Sequence, residues 1–164
     1  MRLSYRLLNG LLFLASVIGM SFALYLEHVQ GLEPCPLCIF QRVGLIGLGL
    51  ISLIALLHNP VSNGIKRVYA LLASLSILWS AGVAARHVWL QSLPPDKVPS
   101  CGPGLDYWID TLPLKSVFEQ VLTGSGECAK VDWTFLGQSL PVWSFVFFAL
   151  LALFSLWQLL RKYP

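Results

Sequence analysis

Hydrophobic residues fall into four long runs along the chain, separated by shorter polar stretches. The runs cover residues 7–26, 39–57, 68–90 and 140–160. Each is close to the ~20 apolar residues that a helix needs to cross the hydrocarbon core of a bilayer. The pattern therefore predicts an all-α integral membrane protein, a four-transmembrane-helix bundle in which residues 1–164 form a single membrane domain.

The overall composition agrees with a membrane protein and excludes two other classes. Hydrophobic residues make up 56% of the chain and charged residues only 12%, about half the charged share of ordinary soluble domains. Disorder requires low hydrophobicity, and a nucleic-acid partner requires a strongly basic surface. With 11 Lys+Arg against 8 Asp+Glu, the net charge is only +3, so we expect no nucleic acid among the partners.

The placement of charge predicts how the bundle is oriented. Six basic residues flank the runs at both termini and in the middle loop: Arg2, Arg6, Lys66, Arg67, Arg161 and Lys162. All the acidic residues lie in the other two loops, at residues 27–38 and 91–139. The positive-inside rule then predicts that both termini are cytoplasmic and that the long second loop is external. A cleavable signal peptide is the alternative for the first run, although that run exceeds the 7 to 15 residues typical of one.

In this topology every cysteine lies on the external side. Cys35 and Cys38 end the first external loop, and Cys101 and Cys128 lie in the second. External cysteines indicate an oxidising compartment in which they can pair. Of the three possible connectivities, the spacing favours Cys35 with Cys38 and Cys101 with Cys128.

The Cys35-Pro36-Leu37-Cys38 motif falls where the second helix should begin, because proline fits the first turn of a helix. Free backbone N–H groups and the helix dipole favour thiolates there, so we expect lowered cysteine pKa values. Arg42 follows Cys38 by four residues and therefore shares its helix face. These features predict a redox-active pair.

Two other interpretations of the motif stay open. A structural disulfide is one, with Arg42 reaching out to the interface, but so short a loop would constrain the unfolded chain little. A metal site is the other, and we expect none, because the sequence has no histidine near the motif and the remaining cysteines lie in the long loop.

The second external loop is rich in proline and glycine, as expected of a segment that presents a disulfide to another protein. Within it, residues 112–122 have the apolar spacing of an amphipathic helix that lies on the membrane surface or holds the loop over Cys35 and Cys38. An ordinary loop-bracing disulfide is the alternative. Two external disulfides indicate thiol–disulfide electron transfer, and a lipid-soluble quinone polarised by Arg42 would be an acceptor within reach of Cys38.

Arg86 and His87 lie near the outer end of the third run, where ionisable side chains are costly and are therefore candidates for a functional site. The alternative is that they reach to the interface and bind the backbone of the loop.

The combination of these motifs closely resembles the bacterial DsbB family over nearly the whole chain. The resemblance rests on residues 35–42 at the start of the second run, Arg86-His87 in the third, and Cys101 and Cys128 followed by Trp133 and Pro141. It implies an inner-membrane enzyme that reoxidises a DsbA-like periplasmic dithiol oxidase and passes the electrons to a membrane quinone, either ubiquinone or menaquinone.

The resemblance also implies a role for each site residue. Cys101 would be attacked by the partner thiolate, with Cys128 as its resolving cysteine. Cys38 would reduce a quinone held near Arg42, with Cys35 as its resolving cysteine, and His87 is a second candidate for quinone contact.

Two other functions remain as alternatives to this one. A vitamin K epoxide reductase-like enzyme would carry its Cys-x-x-Cys motif late in the chain, near the last span. A non-enzymatic membrane protein with two structural disulfides would not need Arg42 on the cysteine face.

Overall fold

The computed structural model describes residues 4–102 and 104–161. Arg2 and Lys162, two of the six basic residues that flank the hydrophobic runs, lie outside the described residues. The first six helices are α1 (Tyr5–His28), α2 (Pro36–His58), α3 (Asn63–Gln91), α4 (Leu105–Thr111), α5 (Leu114–Thr123) and α6 (Gly126–Ala129). They are followed by a short hairpin, β1 (Thr134–Phe135) and β2 (Gln138–Ser139), and by α7 (Leu140–Leu160). A 3-10 turn covers Pro95–Lys97.

Among the described residues, α1, α2, α3 and α7 are long and apolar enough to cross a membrane. Each of these helices contains one of the four predicted hydrophobic runs. The prediction of a four-helix membrane protein is confirmed, while the orientation of the termini stays a prediction. The chain is a multi-pass membrane protein.

Local capping explains where the helices begin and end. The Ser4 hydroxyl accepts the Leu7 N–H at 3.2 Å and caps the start of α1. Pro36 occupies the first turn of α2, as its fixed backbone angle favours. At the other end of α2, Asn59 adopts the left-handed conformation (φ 41°) that terminates helices.

Helix α3 is central, because it packs against both α2 and α7, whereas α1 packs against α2. Serines of α3 donate hydrogen bonds to backbone carbonyls of α2, from Ser76 to Gly44 at 2.9 Å and from Ser80 to Gln41 at 2.8 Å. A Cβ on Gly44 would lie 2.2 Å from the Ser80 hydroxyl oxygen. The close approach of α2 and α3 therefore depends on glycine at this position.

The segment between α3 and α7 folds over the outer ends of α2 and α3. A small core forms there from Leu37, Val83 and Leu90 of the bundle together with Trp108, Val117, Val121 and Cys128 of the loop. The predicted amphipathic helix is present as α5, and its buried residues belong to this core. The prediction that this helix holds the loop over the Cys35 and Cys38 end of the bundle is confirmed.

Arg86 anchors α5 to the bundle. Its guanidinium donates hydrogen bonds to the carbonyls of Leu122 at 2.9 Å and Thr123 at 3.0 Å, and lies 4.0 Å from the centre of the Trp89 ring. Carbonyls at a helix C-terminus attract a cation. The interpretation of Arg86 as an interface residue bound to the loop backbone is therefore correct.

Candidate redox site

The start of α2 places two sulfur atoms side by side. Cys35 is the N-cap of the helix, where its Sγ accepts the backbone N–H of Cys38 at 3.4 Å. The Cys35 thiol also hydrogen-bonds to the Cys38 sulfur at 3.0 Å. The predicted position of both residues at the beginning of a helix is confirmed.

His87 of α3 reaches this pair of cysteines and is buried. Its Nδ1 lies 3.9 Å from the sulfur of Cys38, and its Nε2 lies 3.9 Å from the sulfur of Cys35. Nε2 is also 2.9 Å from the backbone carbonyl of Cys128. Because a carbonyl only accepts hydrogen bonds, we assign the ring proton to Nε2, which leaves Nδ1 as an acceptor. Nδ1 then accepts a hydrogen bond from the Gln41 amide at 3.3 Å.

Cys128 brings a third sulfur to the same place. It is only 1% exposed, and its side chain lies next to that of Cys35. Hydrogen bonding to Cys128 and Cys38, together with burial, raises the pKa of Cys35. The hydrogen bond from Cys35 lowers the pKa of Cys128 to about 6. The expectation of a lowered pKa at the helix start is thus wrong for Cys35, because a contact with the distant loop outweighs the helix terminus.

Cys101 is exposed, unlike the other three cysteines. Its segment lies directly against the start of α6, where the Gly126 N–H donates to the Ser100 carbonyl at 3.2 Å. A Cβ on Gly126 would lie 3.1 Å from the Cys101 sulfur. All four cysteines are free thiols in this structure, so the pairings Cys35–Cys38 and Cys101–Cys128 stay predictions.

Arg42 lies one turn further along α2 and forms an ion pair with Glu27 at the end of α1. Its other guanidinium nitrogen donates to the Ala23 carbonyl at 3.4 Å. Both side chains of the ion pair are about one quarter exposed. Two partners on α1 therefore hold Arg42 in place.

A cavity of about 680 Å³ opens beside these residues, with walls from α1, α2, α3, α7 and the segment that includes Trp133. Cys38, Arg42, Gln41 and His87 all line it. Apolar side chains form much of the remaining wall, among them Phe22, Leu45, Trp133 and Phe147. The volume lies within the range of about 300–1,000 Å³ typical of small-molecule sites. A flat apolar ring with polar oxygens facing Arg42 and His87 fits this arrangement.

The hairpin before α7 supports the outer wall of this cavity. Trp133 stacks on Phe135 with their ring centres 6.1 Å apart, and Trp143 donates from its indole N–H to the Phe135 carbonyl at 3.0 Å. Gln91 ties the same segment to α3 through the Lys130 carbonyl at 3.0 Å and the Ser139 hydroxyl at 2.6 Å.

Comparison with known proteins decides the family. The family model described as "Disulfide bond formation protein DsbB" matches residues 5–158. The chain belongs to the DsbB family.

Relatives in several bacteria support this assignment. A protein of Acinetobacter baumannii named Disulfide bond formation protein B is 74% identical over 164 residues, which cover 100% of this chain and 96% of the relative. A protein of the same name in Acinetobacter baylyi is 71% identical with the same coverage. In a Psychrobacter species the identity is 52%, over 98% of this chain and 96% of the relative. This DsbB-family chain is therefore a membrane protein of disulfide bond formation.

The structure brings together most of the residues that the sequence indicated. Cys35 and Cys38 meet at His87, whose ring also contacts the Cys128 carbonyl, and Arg42 lines the same cavity as Cys38. Arg86, the neighbour of His87 in the chain, lies apart from this group and contacts α5.

Sequence reasoning missed two polar residues, Gln41 and Glu27. Gln41 could have been found from its spacing, because it follows Cys38 by three residues on a helix. Glu27 could have been found as an acidic residue directly after the first hydrophobic run.

Proposed function

We propose that this DsbB-family protein is a dithiol:quinone oxidoreductase of the bacterial inner membrane, with its cysteines facing the periplasm. It oxidises the two thiols of a DsbA-like, thioredoxin-fold partner and transfers their electrons to a membrane quinone. The observation that carries the proposal is the meeting of Cys35, Cys38 and His87 at a cavity that also contains Arg42, with Cys128 next to Cys35.

The first stage takes place at the exposed cysteine. A thiolate of the partner attacks Cys101 of a Cys101–Cys128 disulfide, so that a mixed disulfide forms and Cys128 leaves as a thiolate. The Ser125 hydroxyl, 3.8 Å from the Cys128 sulfur, stabilises this leaving thiolate, and a stabilised thiolate leaves faster. The second thiol of the partner then releases Cys101, and the partner departs with its own disulfide.

The second stage carries the electron pair inward. The Cys128 thiolate attacks Cys35 of a Cys35–Cys38 disulfide, and Cys38 leaves as a thiolate. The position of Cys128 next to Cys35 supports this choice of sulfur. Cys101 then attacks Cys128, which restores the outer disulfide and releases Cys35, so the electron pair ends on the Cys35–Cys38 dithiol.

A quinone, when bound, takes up two electrons and two protons as the Cys35–Cys38 disulfide is restored. Arg42 and His87 would hold its oxygens at the polar end of the cavity, and Phe22 and Phe147 would contact its ring. His87, whose Nδ1 is an acceptor near the Cys38 sulfur, is placed to take the proton of that thiol. Glu27 orients Arg42 from the far side.

Anaerobic quinone reduction by the purified protein in detergent tests the proposal. Reduced DsbA-like protein starts the reaction, and the quinone absorbance is followed with ubiquinone and menaquinone analogues in parallel. We expect reduction by the native protein and none by Cys38→Ala. His58→Ala, which changes a histidine that hydrogen-bonds to Tyr69 at 2.8 Å in the opposite half of the bundle, is the control and should retain activity. Failure of the native protein with either quinone would refute the proposal.

The two alternative functions have less support. The Cys-x-x-Cys motif begins α2 and does not lie near the last span, which disfavours a vitamin K epoxide reductase-like arrangement. A purely structural role would not require a buried histidine at both sulfurs and a third cysteine next to one of them.

A further inference from the structure

The redox pair has the surroundings of a metal site. One ligand atom each from Cys35, Cys38 and His87 lies within 4.8 Å of the others. The sequence argued against a metal because it has no histidine near the motif and its other cysteines lie far along the chain. The folded protein removes both objections, since α3 supplies His87 and the second loop supplies Cys128 next to Cys35.

The hydrogen bonding of His87 prepares one of its nitrogens for a metal. Its Nε2–H donates to the Cys128 carbonyl at 2.9 Å, so the lone pair is on Nδ1, which faces Cys38. Metal-binding histidines commonly donate their second ring N–H to such a carbonyl, which fixes the orientation of the ring. The Gln41 amide, which now hydrogen-bonds to Nδ1, would have to rotate away.

The distances are close to those of a zinc site. Zinc bonds of about 2.3 Å to sulfur and about 2.0 Å to nitrogen place tetrahedral ligand atoms about 3.5–3.8 Å apart. Here the two sulfurs are 3.0 Å apart, and the Cys38 sulfur is 3.9 Å from Nδ1. The Cys35 sulfur faces Nε2 at 3.9 Å, so a rotation of the Cys35 side chain or of the His87 ring is needed to bring all three ligands to one ion.

We propose that the dithiol form of the protein binds one divalent ion of the Zn²⁺ class through Cys35, Cys38 and His87. Cys128, beside Cys35, is the candidate fourth ligand. Binding releases the protons of the two thiols and involves no electron transfer. The disulfide form has no thiolates to offer, so binding is confined to the reduced state. A bound ion holds both thiolates away from electron transfer, which makes it a reversible inhibitor if the proposed function is correct.

Cobalt titration of the full-length protein in detergent tests the site without relying on activity. Quinone-free protein is reduced with a phosphine, the reductant is removed, and Co²⁺ is added anaerobically. We expect one equivalent to produce a thiolate-to-cobalt band and intense visible bands of tetrahedral cobalt, both lost when Zn²⁺ displaces the cobalt. Protein with an intact Cys35–Cys38 disulfide should give no bands.

Two variants locate the site. His87→Gln should weaken Co²⁺ binding by more than about tenfold, because the neutral amide is a poorer ligand than imidazole. Cys101→Ser is the matched control and should bind Co²⁺ like the native protein, since Cys101 is exposed and outside the cluster. Absence of the bands, or bands that depend on Cys101 and not on His87, would overturn the metal site.

Activity measurements separate this inference from the proposed function. Zn²⁺ should inhibit quinone reduction, and a chelator should restore it. Cobalt binding in a protein that reduces no quinone would leave the metal site standing and refute the proposed function. Quinone reduction by a protein that binds no cobalt would refute the metal site and leave the proposed function standing.

Discussion

Removing the carboxylate that holds Arg42 should weaken quinone binding without changing the chemistry. In Glu27→Gln the ion pair with Arg42 is lost, while the weaker bond from Arg42 to the Ala23 carbonyl remains. Because both charged side chains are about one quarter exposed, solvent screens the pair and the loss is about 1 kcal/mol. If the whole loss appears as poorer positioning of Arg42, the KM for quinone rises about fivefold and kcat is unchanged.

Steady-state kinetics at varied quinone concentration, with the reduced partner in excess, measure this change. Arg42→Ala alone should raise the KM further, because the whole cation is lost. Glu27→Gln should then add nothing in the Arg42→Ala background, since it acts only through Arg42. Glu119→Gln removes a solvent-exposed ion pair to Lys115 and serves as the matched control with no effect. An unchanged KM in Glu27→Gln, or fully additive effects of Glu27 and Arg42, would refute the reasoning.

Three further predictions concern the cysteines and the helix packing. Cys101→Ala should abolish oxidation of the protein partner yet retain quinone reduction driven by a small dithiol; loss of both reactions would show that the order of the relay is wrong. In the reduced protein, Cys128 is a thiolate above about pH 6 but stays a thiol until about pH 9 when unfolded. The free energy of unfolding should therefore rise between these pH values, and the rise should be smaller in Cys128→Ser. Gly44→Leu should lower the melting temperature in detergent, corresponding to about 1–3 kcal/mol, because its Cβ would lie 2.2 Å from a serine oxygen of α3. Gly82→Leu, which meets nothing within 4 Å, should not.

The four long helices could be predicted because each depends on a local property, an apolar run long enough to span a bilayer. The positions of Cys35 and Cys38 at the start of α2 are local in the same sense, since Pro36 fixes the first turn. The amphipathic spacing also predicted α5 within a residue or two of its bounds.

What the sequence could not show are the contacts between distant segments. Arg86 and His87 are neighbours in the chain and looked equivalent, but the rotation of α3 turns one toward α5 and the other toward the cysteines. The pKa shift of Cys35 was predicted in the wrong direction, because the main cause of the shift is Cys128, which lies in another loop. The partner of Arg42 depends on how α1 packs against α2, which no periodicity in the sequence specifies.

The hydrogen bonds between α3 and the first turns of α2 make one side of the site more rigid than the other. Trp79, like Ser76 and Ser80, donates from α3 to a carbonyl of α2, in its case to Phe40 at 3.2 Å. These bonds fix the segment that carries Cys38 to the helix that carries His87. The distance between the Cys38 sulfur and the His87 ring therefore changes little when the other helices move. Only 22% of the apolar stretch of α1 is buried, and the same holds for α7, against 39% for α2 and 44% for α3. The walls formed by α1 and α7 are thus the more compliant ones, able to adjust to ring substituents and tails of different bulk while Cys38 and His87 keep their alignment.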